Sequence, residues 1–491
     1  MDGRCYLLET LTSDALYRIH LATIEILQSI GVKIDHEGAL RALADAGADV
    51  DPKNKIARIQ EYHVKEALRK APSAFNLYGR NRRNLLRLGG NRVHFSTAGS
   101  AVFVLDFDTG KRRYATLKDT ALLTRLADGL GNIDHVSEMV FPSDVPEGAM
   151  HAYEIVERFR NTEKTTDGYT FGKTEALDTI KIASTVLGGE EELRKRPTLL
   201  GFHNPTSPLT HSEDGLDGLK VYGEYGQPVI IAPEAQGAMT APATLAGLLS
   251  QTNAEILSGI VIAELFNPGA PVLYGTVSAI ADARTGNIAL GGPETGLINV
   301  AHGQMSRYYG IPSRGTGGVT DANVLGVQSG IEQATTLILA ALAGINFIYY
   351  AGGPHIESTK TVSYEQLVIG NELCGMVSRI LRGIEVTDET LAVDVTRKIG
   401  PGGMFIGHKH TLEHFNENFI PTIMNRETRE AWERKGSKGM QDASKETIKG
   451  ILSNHHPMPL DQGVEKELSV IIKDVEQRAS RSSKRQLSSI G

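Results

Sequence analysis

Eight short apolar segments, each followed by a stretch of helical length, constrain the fold of this chain more than any other feature. They begin at His94, His135, Thr165, Thr198, Pro228, Pro271, Ile311 and Ile345. Parallel strands need a crossover connection of about a dozen residues or more, and each interval between these segments has room for a helix and two loops. Eight such units close a parallel barrel, so we predict an α/β fold with an eight-stranded (β/α)8 TIM-type barrel. A doubly wound open sheet is the structural alternative.

Two further parts flank the predicted barrel, which covers residues 93–383. Residues 1–92 show helical spacing and then alternating apolar residues around turn signals, which predicts an N-terminal cap of helices and β-hairpins. Residues 384–491 are charged and helical in pattern. They predict a C-terminal helical extension packed on the barrel, ending in a disordered tail.

Composition excludes several classes of function. Of the 491 residues, 41% are hydrophobic and 22% are charged, and the net charge of −7 disfavours nucleic-acid binding. The two cysteines, Cys5 and Cys374, are far apart, which excludes a disulfide framework and favours a reducing cytoplasm. The amino terminus lacks a signal-peptide core, and no run reaches the roughly 20 apolar residues of a membrane span. We therefore expect a soluble cytoplasmic protein without membrane contact.

Aromatic residues mark the ends of the predicted strands, which in a barrel face one common mouth. They occur in six of the eight segments although only 6% of the chain is aromatic. Rings beside carboxylates suit a quaternary ammonium group, whose charge donates no hydrogen bond. The alternative is packing, because aromatic residues routinely fill strand interiors. The candidate substrate-binding residues are Phe95, Tyr169, Phe171, Phe202, His203, Tyr274, Arg314, Tyr349 and Tyr350.

Charged residues and histidines at the same ends supply the candidate catalytic groups, Glu234, Asp321 and His355. Glu234 and Asp321 are anions that could face a cationic substrate. Arg314 either clamps a substrate carboxylate or closes an internal ion pair with one of those two acids. His203 and His355 have either a site role, which is to orient a substrate oxygen, to contact a cofactor or to transfer a proton, or a structural role as satisfied polar residues at turns.

A zinc-peptidase signature stands apart from these positions. His410 to His414 spells H-x-x-E-H, and two histidines four residues apart share a helical face, with His408 as a conceivable third ligand. However, the motif follows the barrel in a region of amphipathic helix and lacks the structural context that the zinc enzymes require. We therefore predict no metal site.

Long stretches of the chain resemble a known family, the trimethylamine methyltransferase family of corrinoid-dependent methyltransferases. They include DARTGNIALGGPETGLINVAHGQMSRYYGIPSRGTGGVTDA, SYEQLVIGNELCGMVSRILRGIEV and GPGGMFIGHKHTLEHF. Because the chain contains only standard residues, it resembles the branch without pyrrolysine, whose members are associated with quaternary amines such as glycine betaine. The pattern departs from the family after Asp321, where the chain reads VLGVQSGIEQ.

The resemblance implies an eight-stranded barrel that moves a methyl group from an amine to the Co(I) of a corrinoid. We expect a small quaternary amine as substrate, a cognate corrinoid protein as partner, no tightly bound cofactor, and a homo-oligomer. The alternatives are a tertiary amine or another betaine as substrate, and a barrel that binds quaternary amines without turnover. In this interpretation four glycines give clearance for the substrate methyl and the corrin ring, namely Gly317, Gly318, Gly352 and Gly353.

Overall fold

The predicted barrel forms the centre of the computed structural model, which describes residues 7–81 and 83–490. Its strands are β1 (His94–Phe95), β2 (His135–Val136), β3 (Thr165–Asp167), β4 (Leu199–His203), β5 (Val229–Ile231), β6 (Val272–Gly275), β7 (Ser313–Thr316) and β8 (Phe347–Tyr349). They pair in the order β1-β8-β7-β6-β5-β4-β3-β2, and every pairing is parallel. A parallel bridge between Ser96 and His135 joins the two edges. The predicted barrel is confirmed, and the open-sheet alternative is wrong.

A helix follows each strand and packs outside the barrel. The helices are α1 (Leu117–Gly129), α2 (Met150–Asn161), α3 (Lys173–Leu187), α4 (Glu213–Glu224), α5 (Leu245–Phe266), α6 (Pro293–Tyr309), α7 (Val327–Leu342) and α8 (Tyr364–Leu381). Local sequence sets several of their ends. Ser212 caps the start of α4, because its side chain accepts a hydrogen bond from the Gly215 N–H. Gly188 and Gly310 end α3 and α6 in the left-handed conformation that glycine adopts without strain.

Helix α5 is apolar on nearly all sides because it lies between the barrel and the N-terminal cap. Within residues 7–81 and 83–490 it is the one helix long and apolar enough to cross a membrane, and 83% of its apolar window is buried in the protein. It is therefore built as a core helix.

The N-terminal part combines helices, a small sheet and a hairpin. Its helices are Ser13–Glu25, Glu37–Asp45 and Glu61–Lys70, and the sheet contains Val32–Ile34, Asp49–Asp51, Ile56–Arg58 and, from a barrel loop, Thr210–His211. The hairpin pairs Phe75–Tyr78 with Leu85–Leu88. The buried leucines of the hairpin are Leu77, Leu86 and Leu88. They share an apolar cluster with the barrel residues Leu200, Ile230, Leu273 and Phe347. The hairpin closes the amino-terminal end of the barrel and leaves the opposite end open.

Two small sheets extend the wall at this open end. Loops after β1 and β8 form the strands Phe103–Leu105, Arg112–Tyr114, His355–Ile356 and Thr361–Ser363. Loops after β5 and β6 form Gln236–Gly237, Ala279–Ala281 and Ile288–Ala289. Further short helical turns lie at Ile26–Ile30, Glu147–Ala149, Glu190–Lys195 and Phe415–Glu417.

The C-terminal part begins with a segment that has no core of its own. No residue from Arg382 to Thr422 is buried, and we call this segment the C-terminal arm. It contains the helices Asp388–Leu391, Val393–Ile399 and Lys409–His414. Glu372 on α8 fixes its far end by accepting hydrogen bonds from the Thr422 N–H at 2.8 Å and the Thr422 hydroxyl at 2.6 Å.

Three helices follow the arm: Arg429–Arg434, Met440–Asn454 and Gln462–Ile490. Leu468, Ile471 and Val475 of the last helix are buried in the main core. The helix that they anchor continues to Ile490, where a disordered tail was expected. Of the two cysteines, Cys374 is free and buried on α8, whereas Cys5 lies outside the described residues.

Candidate functional site

A cavity of about 500 Å³ lies at the carboxyl ends of the barrel strands. Its lining brings together seven of the predicted site residues: Tyr169, Phe171, Phe202, Glu234, Arg314, Tyr349 and Tyr350. A cavity of about 600 Å³ lies elsewhere, on the flank where α2 and α3 meet the C-terminal helix, and its lining includes His151, Asp178 and Arg478. We assign the site to the cavity of about 500 Å³, because active sites of parallel barrels are built at the carboxyl ends of the strands.

Arg314 provides the positive charge of the site. It is only 1% exposed, and its guanidinium carbon lies 4.6 Å from the ring centre of Tyr349 and 5.5 Å from that of Phe202. Nη1 donates hydrogen bonds to the Thr276 carbonyl and to Thr316 Oγ1.

Within the described chain no carboxylate lies within 4.0 Å of this guanidinium, and its Nε has no hydrogen-bond partner. The alternative in which Arg314 forms an internal ion pair with Glu234 or Asp321 is therefore not the arrangement of the described chain. Burial lowers the pKa of Arg314 to about 10, and the neighbouring Tyr350, Tyr349 and Glu234 oppose this fall only in part.

Asp167 organises an acidic wall on another side of the cavity. It ends β3 and accepts hydrogen bonds from Ser137 Oγ, from Arg158 Nη1, and from the Tyr349 hydroxyl at 3.1 Å. Glu138 lies beside it, with its backbone N–H 3.3 Å from Asp167 Oδ1. Ser100 Oγ donates to Glu138 Oε1 at 2.7 Å. The wall thus combines an ion-paired carboxylate with a second carboxyl group that a hydroxyl alone holds.

Glu154 of α2 adds a third carboxyl group behind this wall. It is 1% exposed, and neither of its oxygens has a hydrogen-bond partner among the described residues. Burial raises its pKa well above the ordinary value, and nearby Glu138 adds to the effect. Burial and then the charge of Asp167 likewise raise the pKa of Glu138 to about 7. The charge of Arg158 opposes both of these rises, but burial and the neighbouring carboxyl groups outweigh it.

Sequence reasoning missed this acidic wall, although a signal was present. Glu138 and Asp167 are acidic residues within two of the predicted strand segments, HVSEMVF and TTDGYTF. Attention to aromatic residues left them out of the candidate list. Ser100, Ser137, Thr170, Asn204 and Thr359 also line the cavity and were likewise not predicted.

Glu234, in the loop after β5, is the predicted acid that does line the cavity. It is exposed to the cavity but enclosed by protein walls, and this desolvation raises its pKa while Arg314 opposes the rise. Tyr350 contributes a ring from a backbone with φ of 66°, in the left-handed region that side chains other than glycine rarely adopt. Such strain is typical of functional sites.

Four predicted residues point away from the cavity and have structural contacts instead. Buried His203 bonds His211 at 2.8 Å, and burial lowers its pKa to about 4. The Tyr274 hydroxyl donates to Asn253 of α5 at 2.8 Å. His355 Nε2 lies 3.1 Å from the Met139 carbonyl, and Phe95 is buried in an apolar cluster. The prediction that these side chains face the mouth is wrong.

Asp321 also lies outside the cavity, where it connects three loops. It accepts hydrogen bonds from the Leu290 N–H at 3.1 Å, the Gly291 N–H at 2.9 Å and the Ser358 hydroxyl at 2.7 Å. These partners follow β6 and β8, whereas Asp321 itself follows β7. Its carboxylate is therefore occupied in holding the rim together.

The four predicted glycines leave room for protein neighbours rather than for a ligand. A Cβ at Gly317 would lie 2.9 Å from Ile348 Cγ2, and one at Gly352 would lie 3.1 Å from Ile133 Cδ1. Gly318 adopts φ of 77° against the Tyr350 carbonyl, and a Cβ at Gly353 would lie 3.2 Å from Gln333 Nε2. None of the four lines the cavity. The prediction that these glycines give clearance for the substrate methyl and the corrin ring is therefore wrong.

Tyr169 and Phe171 form a shared wall between the site and a neighbouring cavity of about 220 Å³. Both rings line the two spaces. The smaller cavity also contains Glu147, Glu175 and Asp214.

Known proteins resemble this chain over almost its full length. The family model described as trimethylamine methyltransferase matches residues 2–480. A glycine betaine methyltransferase of Desulfitobacterium hafniense strain Y51 is 35% identical over 465 residues, covering 94% of this chain and 96% of the relative. A trimethylamine methyltransferase of D. hafniense strain DSM 10664 / DCB-2 is 36% identical over 467 residues, covering 95% and 93%.

The solved structure of the monomethylamine methyltransferase of Methanosarcina barkeri is similar in fold. The TM-score is 0.54 at 12% identity, covering 96% of this chain and 90% of that one. At this identity the likeness concerns the fold alone. The full-length matches in sequence settle the family: the chain is a methyltransferase that belongs to the trimethylamine methyltransferase family.

Proposed function

We propose that this enzyme transfers a methyl group from a small zwitterionic quaternary amine of the glycine betaine type to the Co(I) of a corrinoid carried by a separate protein. The observation that carries the proposal is the separation of charge in one aromatic cavity, with an unpaired Arg314 facing it and a group of acids on another wall. The glycine betaine methyltransferase among the relatives supports the same substrate class.

Arg314 suits the carboxylate of such a substrate. Its guanidinium is desolvated and lacks an anionic partner, so a bound carboxylate would supply the missing charge. Guanidinium and carboxylate match in a bidentate geometry. A substrate without a carboxylate, such as trimethylamine, would leave this charge uncompensated.

The aromatic and acidic walls suit the ammonium end. A quaternary nitrogen donates no hydrogen bond, so ring faces and nearby anions hold it. Tyr169, Phe171 and Tyr349 supply rings, and Asp167 with Glu138 supplies the negative wall. The raised pKa of Glu138 limits the charge of that wall. This limit favours the reaction, because the nitrogen loses its positive charge in the transition state and over-stabilising the cation would raise the barrier.

The chemistry requires alignment more than acid or base. The methyl carbon leaves nitrogen, the bonding pair stays on nitrogen as a neutral tertiary amine departs, and the Co(I) acceptor provides the pair for the new bond to carbon. No proton moves in this step. The protein's part is to orient the methyl group toward the open end of the barrel and to exclude water.

The acceptor must reach the methyl group through the same open end. The proposal therefore includes a cognate corrinoid protein as partner and no tightly bound cofactor in this chain. A cytoplasmic location stays a prediction from the composition of the chain, and a homo-oligomer stays a prediction from the resemblance.

The test is methylation of cobalt. The purified protein is mixed with its reduced corrinoid protein and glycine betaine, and the conversion of Co(I) to methyl-Co(III) is followed by absorbance. We expect turnover with glycine betaine and much slower turnover with trimethylamine. Absence of cobalt methylation with every quaternary amine would overturn the proposal. Tight calorimetric binding in that case would identify a binding protein without turnover.

A further inference from the structure

The H-x-x-E-H motif lies in the C-terminal arm, away from the cavity, and the function proposed above does not use it. Residues 382–422 contain no buried residue, so the arm has no apolar core to hold it together. Segments too small to build a core commonly depend on a metal ion or another cross-link. This raises the question of what keeps the arm's short helices together.

Three metal-ligating side chains meet in the arm. His410 and His414 lie four residues apart on the helix Lys409–His414, with ring centres 4.3 Å apart. Glu389 reaches them from the separate helix Asp388–Leu391. Glu389 Oε1 lies 2.7 Å from His414 Nε2 and 3.9 Å from His410 Nε2. The ligand atoms of all three side chains lie within 4.8 Å of one another.

The two imidazoles are arranged as metal ligands usually are. His414 Nδ1 lies 2.6 Å from Glu417 Oε1, and a carboxylate on the second ring nitrogen fixes the tautomer that leaves Nε2 free to bind a metal. His410 Nε2 is shielded from solvent and has no hydrogen-bond partner among the described residues. Two ligands of one tetrahedral Zn²⁺ are roughly 3.3–3.6 Å apart, given bond lengths of about 2.0–2.2 Å. Small side-chain rotations would bring the present distances to that value.

The catalytic interpretation of the motif does not fit this geometry. The glutamate that would serve as base in a zinc peptidase is Glu413, and it pairs with Lys409 at 3.3 Å instead. The third ligand comes from Glu389, which lies outside the motif and could not be recognised from its spacing.

We propose that Glu389, His410 and His414 bind a divalent transition-metal ion, Zn²⁺ by preference, and that this ion fastens the two short helices of the C-terminal arm to each other. Two imidazoles and a carboxylate are the ligand types that Zn²⁺ accepts, and they leave a fourth position for water. Glu389 and then Glu417 raise the pKa of His414, which reflects the negative potential at this point.

The experiment uses the full-length, untagged protein. Metal is removed with a chelator, Zn²⁺ is added back against a chromophoric competitor, and Co²⁺ is added separately to record the visible spectrum. We expect a single equivalent of each ion to bind and the Co²⁺ spectrum to show tetrahedral coordination. Glu389→Ala, His410→Ala and His414→Ala should each abolish this binding. Glu417→Gln should weaken it by about 10–100-fold, as loss of a partner that orients a ligand does.

Glu413→Gln is the matched control, because it changes the motif's own glutamate without touching a proposed ligand. It should bind Zn²⁺ like the wild type. Limited proteolysis gives a second readout, in which Zn²⁺ should protect the arm of the wild type but not that of His414→Ala. Failure of the wild type to bind Zn²⁺ or Co²⁺, or unchanged binding in the three ligand variants, would overturn the proposal. Both readouts are independent of methyl transfer.

Discussion

Replacing Arg314 by methionine separates a substrate clamp from a structural charge. Arg314 is 1% exposed, and burial lowers its pKa from the ordinary arginine value to about 10. That difference corresponds to about 3 kcal/mol against the charged side chain, since one pKa unit equals about 1.4 kcal/mol. A substrate carboxylate that binds beside the guanidinium offsets this cost. A methionine side chain is neutral and does not attract the carboxylate.

We expect kcat/KM for glycine betaine to fall on the order of 100-fold, which corresponds to a loss of about 3 kcal/mol of transition-state stabilisation. The loss should lie mainly in KM, because the carboxylate is remote from the reacting bond and is bound equally in ground and transition states. A quaternary amine without a carboxylate, such as choline, should react with little change. Stability toward urea should not fall steeply, because a neutral side chain of similar size often replaces a buried charge at little cost.

The assay is the initial rate of cobalt methylation over a range of substrate concentrations, with Arg314→Lys as the matched control. Lysine keeps the charge but loses the planar fork, so its effect should lie between those of the wild type and the methionine variant. An equal loss of activity toward glycine betaine and choline would refute the reasoning. Arg314 would then serve the structure of the barrel rather than the substrate.

Three further predictions concern other positions. The pKa of Glu138 is raised to about 7 from an ordinary 4.5, so the folded state holds the proton of Glu138 more tightly than the unfolded state does. The stability that this group contributes is fully present below about pH 4.5 and is lost as the pH rises through about 7. Glu138→Gln should flatten this pH dependence of the free energy of unfolding, measured in urea across that range. Asp321→Ala should lower the free energy of unfolding by about 2–4 kcal/mol, because three hydrogen-bond donors lose their acceptor, while the KM for glycine betaine stays near the wild-type value; a large rise in KM with unchanged stability would contradict the position outside the cavity. Phe171→Ala should improve kcat/KM for betaines bulkier than glycine betaine relative to glycine betaine itself, measured in competition, because it opens the wall toward the neighbouring cavity.

The barrel could be predicted because its signal is repeated and local. Most of the eight strands lie in short apolar runs, and the segments beginning at His94, His135 and Thr165 start at the very residues where the strands begin. Crossover helices of sufficient length separate them, which leaves few topologies. The small sheets at the rim were not predicted, since their two- and three-residue strands form only through contacts between distant loops.

The site was predicted in part, and the errors have a physical pattern. Neighbouring side chains of a strand point to opposite faces, so Phe202 enters the cavity while His203 turns to His211. A position at the end of a strand does not by itself show to which face of the sheet the side chain points. Asp321 was misplaced because its partners come from loops about 30 residues or more away, which no local pattern indicates. The contribution of Glu389 to the histidine pair escaped prediction for the same reason.

Tyr169 and Phe171 belong to one loop, and together they divide the space at the barrel mouth into two chambers. In the function proposed above, the charges that would orient a zwitterion come from other strands, with Arg314 on β7 and Glu138 after β2. Size selection and charge selection are therefore encoded in separate parts of the chain. Substitutions in a single loop can widen the range of accepted amines without disturbing the groups that align the methyl carbon, so the substrate size can diverge during evolution while the reaction geometry is inherited unchanged.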